Sequence, residues 1–221
     1  MSKKFKLGVL GDPIEHSLSP FIHSRFSRNE NINLEYLPYR VEEANFDKFI
    51  KDFFSDKLAK GLNITLPHKK RAAKIEGIIS SEAKYINAVN TINNKDNELF
   101  LFSTDGIGFI NDIDNKGFSL EGKKILIIGA GAAIESIMYR VAKSSPKEIS
   151  IVNRTEERAD RLIRKFSNMT KIKSNLNNTT YDLVINGSSA GLTGNFEPMK
   201  ELSVNSNTYF YDLNYSLTDT P

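Results

Sequence analysis

The segment Lys123–Arg158, KKILIIGAGAAIESIMYRVAKSSPKEISIVNRTEER, restricts the fold more than any other stretch. Ile125–Ile128 is a short apolar run suited to a buried strand, and Gly129-Ala130-Gly131 follows it directly. Helical spacing from Ala132 to Lys143 leads to a second β-branched run, Ile149–Val152. Strand, glycine turn, helix and strand within roughly thirty residues form the βαβ unit that holds a dinucleotide. The first glycine permits the sharp turn, the second lets backbone N–H groups approach a pyrophosphate, and the helix N-terminus faces that anion. The sixth position, usually Gly or Ala for close helix–strand packing, is Ile134 here. A glycine turn that only joins a strand to a helix would look the same, so the end of the second strand carries the weight. An acid there reads a free ribose 2′-hydroxyl. This chain has Asn153 and Arg154, with Arg158 one helical turn on. Guanidiniums suit a 2′-phosphate, which predicts NADP rather than NAD. Thr155 is in position to N-cap the next helix, with Glu156 and Glu157 as first-turn acids.

The first half of the chain predicts a second α/β unit. Lys6–Leu10 reads as a strand ending at Gly11-Asp12-Pro13, and Phe21–Asn29 as a helix. Between them lies His16-Ser17-Leu18-Ser19-Pro20, where Ser19 before Pro20 has the form of an N-cap. Leu34–Val41 reads as a strand, and Phe46, Phe49, Ile50 and Phe53 have the spacing of a helix face turned to the core. Leu62, Ile64 and Leu66 alternate with Asn63 and Thr65, predicting a strand with one polar face. Pro67 ends it and Lys69 opens the next helix, at the strand end where ligands bind in open α/β sheets. On its own, Lys69 also fits a solvated surface lysine. Asn87–Ile92 reads as a strand carrying the polar Asn90, and Leu99–Phe102 as another, joined by the turn 93–97. Asp105 then has the form of an N-cap for a helix over Ile107–Asn115.

With 221 residues, 39% hydrophobic and 26% charged, the chain can build two α/β domains with a cleft between them. A net charge of +3 without a dense basic run argues against nucleic acid. The absence of cysteine removes disulfides, thiolate nucleophiles and cysteine metal sites, and suits a reducing cytoplasm. No apolar run is long enough for a membrane span, and no cluster has metal-ligand spacing.

Taken in order, HSLSP, NITLPHK, NAVNT, STDGIG, GAGAA followed by NRT, then NGSSAG and YDLNYSLTDTP, resemble the NADP-dependent shikimate dehydrogenase family from about Lys6 to the last residue. The resemblance implies a mixed-sheet substrate-binding domain over residues 1–104 and a Rossmann-like NADP-binding domain over 105–221. It implies reversible reduction of 3-dehydroshikimate to shikimate in aromatic amino-acid biosynthesis, by a monomer or homodimer. Lys69 would carry the proton, paired with Asp105 across the cleft. Ser17 and Ser19 would bind the substrate carboxylate, while Asn63, Thr65, Asn90 and Asp105 hold the ring hydroxyls and Tyr215 touches substrate. Gly129, Ala130, Gly131, Ala132, Ala133 and Ile134 would take the pyrophosphate. Asn153, Arg154, Thr155 and Arg158 would take the 2′-phosphate, with Leu213 near the nicotinamide. A quinate-using relative, or a protein that binds NADP or shikimate without turnover, remains the alternative. Of His16, His23 and His68, none is needed for catalysis.

Family members are expected to continue beyond Pro221 with helices that return to the first domain. The expectation for this chain is therefore a retained fold, an exposed apolar surface on the first domain, and weak or no turnover.

Overall fold

Alternating strand and helix patterns produce two sheets, one in each of two units, residues 1–104 and 105–221. The computed structural model describes residues 4–174, 180–188, 202 and 204–214.

In the first unit the chain runs β1 (Phe5–Gly11), α1 (Ser19–Asn29), β2 (Leu34–Arg40), a 3-10 turn (Glu43–Asn45) and α2 (Phe46–Phe54). It continues through β3 (Ala59–Ile64), α3 (Lys69–Ala72), β4 (Ile78–Ile79), α4 (Ser81–Ile86), β5 (Thr91–Lys95) and β6 (Glu98–Phe102). The sheet order is β2-β1-β3-β5-β6-β4, parallel at β2-β1-β3 and antiparallel at β3-β5-β6. Strand alternation sorts the two faces. Leu10, Leu62, Ile64, Ile92 and Leu101 form one core with Phe46 and Ile50 of α2. The other face carries Val9 and Tyr36 together with Asn63, which lies opposite Thr91 in the β3–β5 register. Helix α1 has no buried residue, and Phe21, Ile22 and Phe26 are exposed.

Four sequence expectations change here. The strand expected to reach Leu66 stops at Ile64, and Leu66 is exposed, because the chain turns at the cis Leu66–Pro67 bond. The strand expected from Asn87 is instead the end of α4. Ser80 caps that helix by accepting from Ala83 N–H, and Asn87 closes it in the left-handed region at φ 57°, leaving β5 to begin at Thr91. Ser19 is not a cap: α1 starts at Ser19 with Leu18 in the cap position and no side-chain cap bond. Pro20 supplies the fixed φ of a helix start, so the turn forms without that bond. The 93–97 turn narrows to Asp96-Asn97, at φ 53° and 65°, joining β5 to β6.

The second unit runs α5 (Asp105–Asn115), β7 (Lys124–Ile128), α6 (Ala132–Lys143), β8 (Glu148–Val152), α7 (Glu156–Phe166), β9 (Ile172–Lys173), β10 (Leu183–Asn186) and β11 (Tyr209–Asp212). All its strand pairs are parallel, in the order β11-β10-β7-β8-β9. Read from β9, that is the 3-2-1-4-5 order of the Rossmann-like sheet. A parallel sheet is covered on both faces, so the interior of β7 is apolar: Ile125, Leu126 and Ile127 are fully buried. The chain goes from β7 to one side through β8 and β9, then returns to the other side through β10. The order therefore reverses between β7 and β10, and their C-terminal ends open the crevice where such sheets bind ligands.

Ile134 also finds its packing explanation. It is fully buried, and a Cβ added to Gly187 at the end of β10 would lie 2.4 Å from its Cδ1 and Cγ1. The bulk normally avoided on the helix is accommodated by a glycine on the strand. Gly187→Ala is expected to cost about 1–3 kcal/mol by overpacking. Combined with Ile134→Ala it should cost less than the sum of the two single losses, measurable by urea unfolding of all three variants.

Candidate active site

In the first unit, a hydrogen-bonded row crosses the polar face of the sheet. Tyr36 Oη donates to Asn63 Oδ1 at 2.7 Å, and Asn63 Nδ2 donates to Thr91 Oγ1 at 3.2 Å. Thr91 Oγ1 donates to Asn90 Oδ1 at 2.9 Å, which also accepts the Thr104 backbone N–H at 2.9 Å. Asn90 Nδ2 donates to Thr104 Oγ1 at 3.0 Å. The direction of this row follows from counting protons. A backbone N–H can only donate, so Thr104 turns the Asn90 oxygen towards itself. The single Thr91 proton is then committed to Asn90, so Thr91 can only accept from Asn63. The Asn63 amide is thereby held with its nitrogen at Thr91 and its oxygen at Tyr36.

Burial pushes the Tyr36 phenol pKa up, with a smaller opposing effect from Ser19. Ser17 Oγ accepts the backbone N–H of Ser19 at 3.3 Å, which holds the two serines together. Thr65 N–H donates to Leu10 O at 2.9 Å, tying the turn after β3 to the end of β1. Lys69 is half-buried as the first residue of α3, and its carbonyl accepts the Val89 N–H at 2.9 Å. The neighbour His68 turns into the core: it is 1% exposed, pairs through Nε2 with Val41 O at 2.6 Å, and stacks on Phe46. Its ring therefore braces the turn that presents Lys69. His16 is exposed.

Of the expected residues, Asn63 and Asn90 are thus linked in one row and Ser17 and Ser19 in a separate pair, with Thr65 on the turn after β3 and Lys69 opening α3. Sequence reasoning missed Tyr36, Thr91 and Thr104, which do the linking. A Tyr inside a loosely alternating strand was the available signal, but its partner two strands away depends on register.

In the second unit, Gly129 has φ +107°, and a Cβ there would lie 2.8 Å from Gly187 C and 2.9 Å from Ser188 N. Only glycine fits, and the turn closes at the topological switch point. Asn153 Oδ1 accepts the Ala130 N–H at 2.9 Å while its Nδ2 donates to Thr155 O at 2.8 Å. Asn153 therefore couples the glycine turn to the end of β8. Gly131 is the extended residue before α6, and Ala132, Ala133 and Ile134 form its first turn. First-turn N–H groups lack intrahelical acceptors, so they form an anion-binding end. The side chain of Ile134 is core, which leaves its backbone N–H as the group it can offer. Arg154, Thr155 and Arg158 are exposed beside Asn153. Thr155 occupies the cap position of α7 without a side-chain cap bond. These residues fit a dinucleotide carrying a 2′-phosphate: a cradle that a Cβ would fill, a helix start for the pyrophosphate, and two exposed guanidiniums.

Leu213 N–H donates to Asn186 O at 2.9 Å, and Leu213 Cδ1 lies 3.3 Å from a Cβ built on Gly187. Leu213 therefore stands at the same switch point. Asn186 Nδ2 and Asn214 Nδ2 both donate to Asp212 Oδ1, at 3.2 and 3.0 Å, a polar cluster at the ends of β10 and β11 that sequence reasoning also missed. Asp105 opens α5 as a first-turn acid; the helix begins at Asp105 rather than at Ile107. Tyr215 lies outside the described residues. Among the described residues no group of acidic and histidine side chains could hold a metal, and no helix is long and apolar enough to cross a membrane.

A family model for the shikimate dehydrogenase substrate binding domain matches residues 9–92, and one for shikimate / quinate 5-dehydrogenase matches residues 112–200. The shikimate dehydrogenase (NADP(+)) of Hahella chejuensis is 37% identical over 217 residues, covering 96% of this chain and 80% of that protein. The shikimate 5-dehydrogenase of Listeria monocytogenes, solved with shikimate and NAD, has a TM-score of 0.88 at 26% identity, covering 100% of this chain and 82% of that one. A shikimate dehydrogenase solved with NADP+ has a TM-score of 0.84 at 27% identity, covering 100% and 80%. On these matches and this fold, the chain belongs to the shikimate dehydrogenase family.

Proposed function

We propose that this chain catalyses the reversible NADPH-dependent reduction of 3-dehydroshikimate to shikimate, with residues 1–104 binding the substrate and residues 105–221 the cofactor. The observation that carries the reading is the polar row from Tyr36 through Asn63 and Thr91 to Asn90, in the unit where Lys69 opens α3. A polyhydroxylated carboxylate needs several fixed donors and acceptors on one surface, and this row provides them.

Bound NADPH supplies the hydride that reduces the carbonyl carbon. Lys69 then has two tasks: its ammonium stabilises the charge developing on the carbonyl oxygen and delivers the proton that makes the alcohol. Asp105 is the proposed acidic partner of the lysine. Ser17 and Ser19 take the carboxylate; Asn63, Thr65 and Asn90 orient the ring hydroxyls. Gly129 to Ile134 hold the pyrophosphate, Leu213 flanks the nicotinamide, and Asn153 keeps the turn in register with Arg154, Thr155 and Arg158 at the 2′-phosphate. Tyr215 is the proposed further substrate contact.

Purified chain is expected to form NADPH from shikimate and NADP+, read at the nicotinamide absorbance, with a lower rate on quinate and with NAD+. No NADPH formation from shikimate at any cofactor concentration would refute the activity; equilibrium binding of both ligands without turnover would favour a binding protein.

The cofactor preference has its own test. Charged hydrogen bonds contribute about 1.5–3 kcal/mol each. Arg154→Asp is therefore expected to raise the KM for NADPH roughly 10- to 150-fold and to leave that for NADH little changed. Equal changes for both cofactors would remove Arg154 from the 2′-phosphate site.

A further inference from the structure

Resting on that reading of the site, we propose that Tyr36 is a positioning residue that sets which edge of the Asn63 amide the substrate meets. Two observations support it. Tyr36 is 8% exposed on the polar face of the sheet, with Oη donating to Asn63 Oδ1 at 2.7 Å. Its ring plane is fixed by His23 of α1, stacked at 4.1 Å between centroids with 6° between planes.

A phenol has one proton, and here it is committed to Asn63. Asn63 in turn has one lone pair engaged by Tyr36 and one N–H engaged by Thr91. The amide cannot flip without facing Thr91 with an oxygen, which would require a second Thr91 proton. The remaining N–H of Asn63 is therefore held as a donor in a fixed direction, suited to a hydroxyl or carbonyl oxygen of the ligand. Tyr36 itself touches no reacting atom.

Tyr36→Phe keeps the ring, its burial and the His23 stack while removing the hydroxyl. In the ligand-free chain, the two Asn63 side-chain N–H resonances in nitrogen–proton correlation spectra should move towards each other or broaden as the amide loses its fixed orientation. The dissociation constant for shikimate should rise about 3- to 10-fold, with that for NADPH unchanged. In an Asn63→Ala background, Tyr36→Phe should have little further effect on shikimate binding. Unchanged Asn63 resonances in Tyr36→Phe, or the same affinity loss with and without Asn63, would overturn the proposal in favour of a purely packing role. A wild-type chain that binds no shikimate would count against the functional reading instead, and the Asn63 resonances would then decide the part played by Tyr36.

Discussion

Lys69→Ala is expected to lower kcat by about 10²- to 10⁴-fold, roughly 3–5 kcal/mol of transition-state stabilisation, with shikimate affinity little changed. The size follows from asking one group both to neutralise an oxyanion and to give up a proton. Removing it leaves the Tyr36–Asn63, Asn63–Thr91 and Thr91–Asn90 hydrogen bonds in place. Lys69→Arg separates the two tasks: it keeps the charge, but a guanidinium does not release a proton near neutral pH, so turnover should stay low. Asp105→Asn should give a smaller loss. Steady-state kinetics beside equilibrium shikimate binding measures both quantities. A loss below about tenfold in kcat for Lys69→Ala would assign the proton transfer to another group.

The second large effect falls on the glycine turn, and its two glycines should fail differently. At Gly129 the backbone is left-handed, at φ +107°, and an added Cβ meets backbone atoms of Gly187 and Ser188 at 2.8 to 2.9 Å. Backbone cannot swing aside as a side-chain tip can. Strain and overpacking together put Gly129→Ala at about 2–5 kcal/mol of lost stability, enough to unfold much of a marginal domain. At Gly131 the conformation is ordinary, at φ −86°, and the nearest atom to an added Cβ is Gly187 O at 4.0 Å. Gly131→Ala should fold normally and show its cost in weaker NADPH binding, where the second glycine lets the pyrophosphate approach the backbone. Urea unfolding and cofactor titration of the two variants separate these outcomes; equal stability losses would contradict the account.

Much of the second unit could be read from its residues, because its signals are local. The helix Ala132–Lys143 came directly from its spacing, and the parallel sheet from apolar runs such as Ile125–Ile128. The first unit was harder. Asn87–Val89 looked extended, yet Asn87 ends α4 in a left-handed turn, since a short helix of Ser81–Ile86 leaves too few residues for a clear period. Ser19 looked like a cap because Ser before Pro is the usual cap signature, yet Leu18 takes the cap position and no side-chain cap bond forms. Ile134 looked like a defect in the glycine pattern until Gly187, far along the chain, was found opposite it.

The order of motifs, by itself, was enough to determine the α/β class, the dinucleotide turn, the preference implied by Arg154 and the family. Each of these depends on residues adjacent in the chain or on their order along it. Tertiary structure alone decided how Asn63 is oriented, why Gly129 must be glycine and how Ile134 is accommodated. The physical reason is the same in all three. A hydrogen-bond direction or a packing distance is set by atoms that strand register brings together, and register arises when the sheet assembles, not within any one segment.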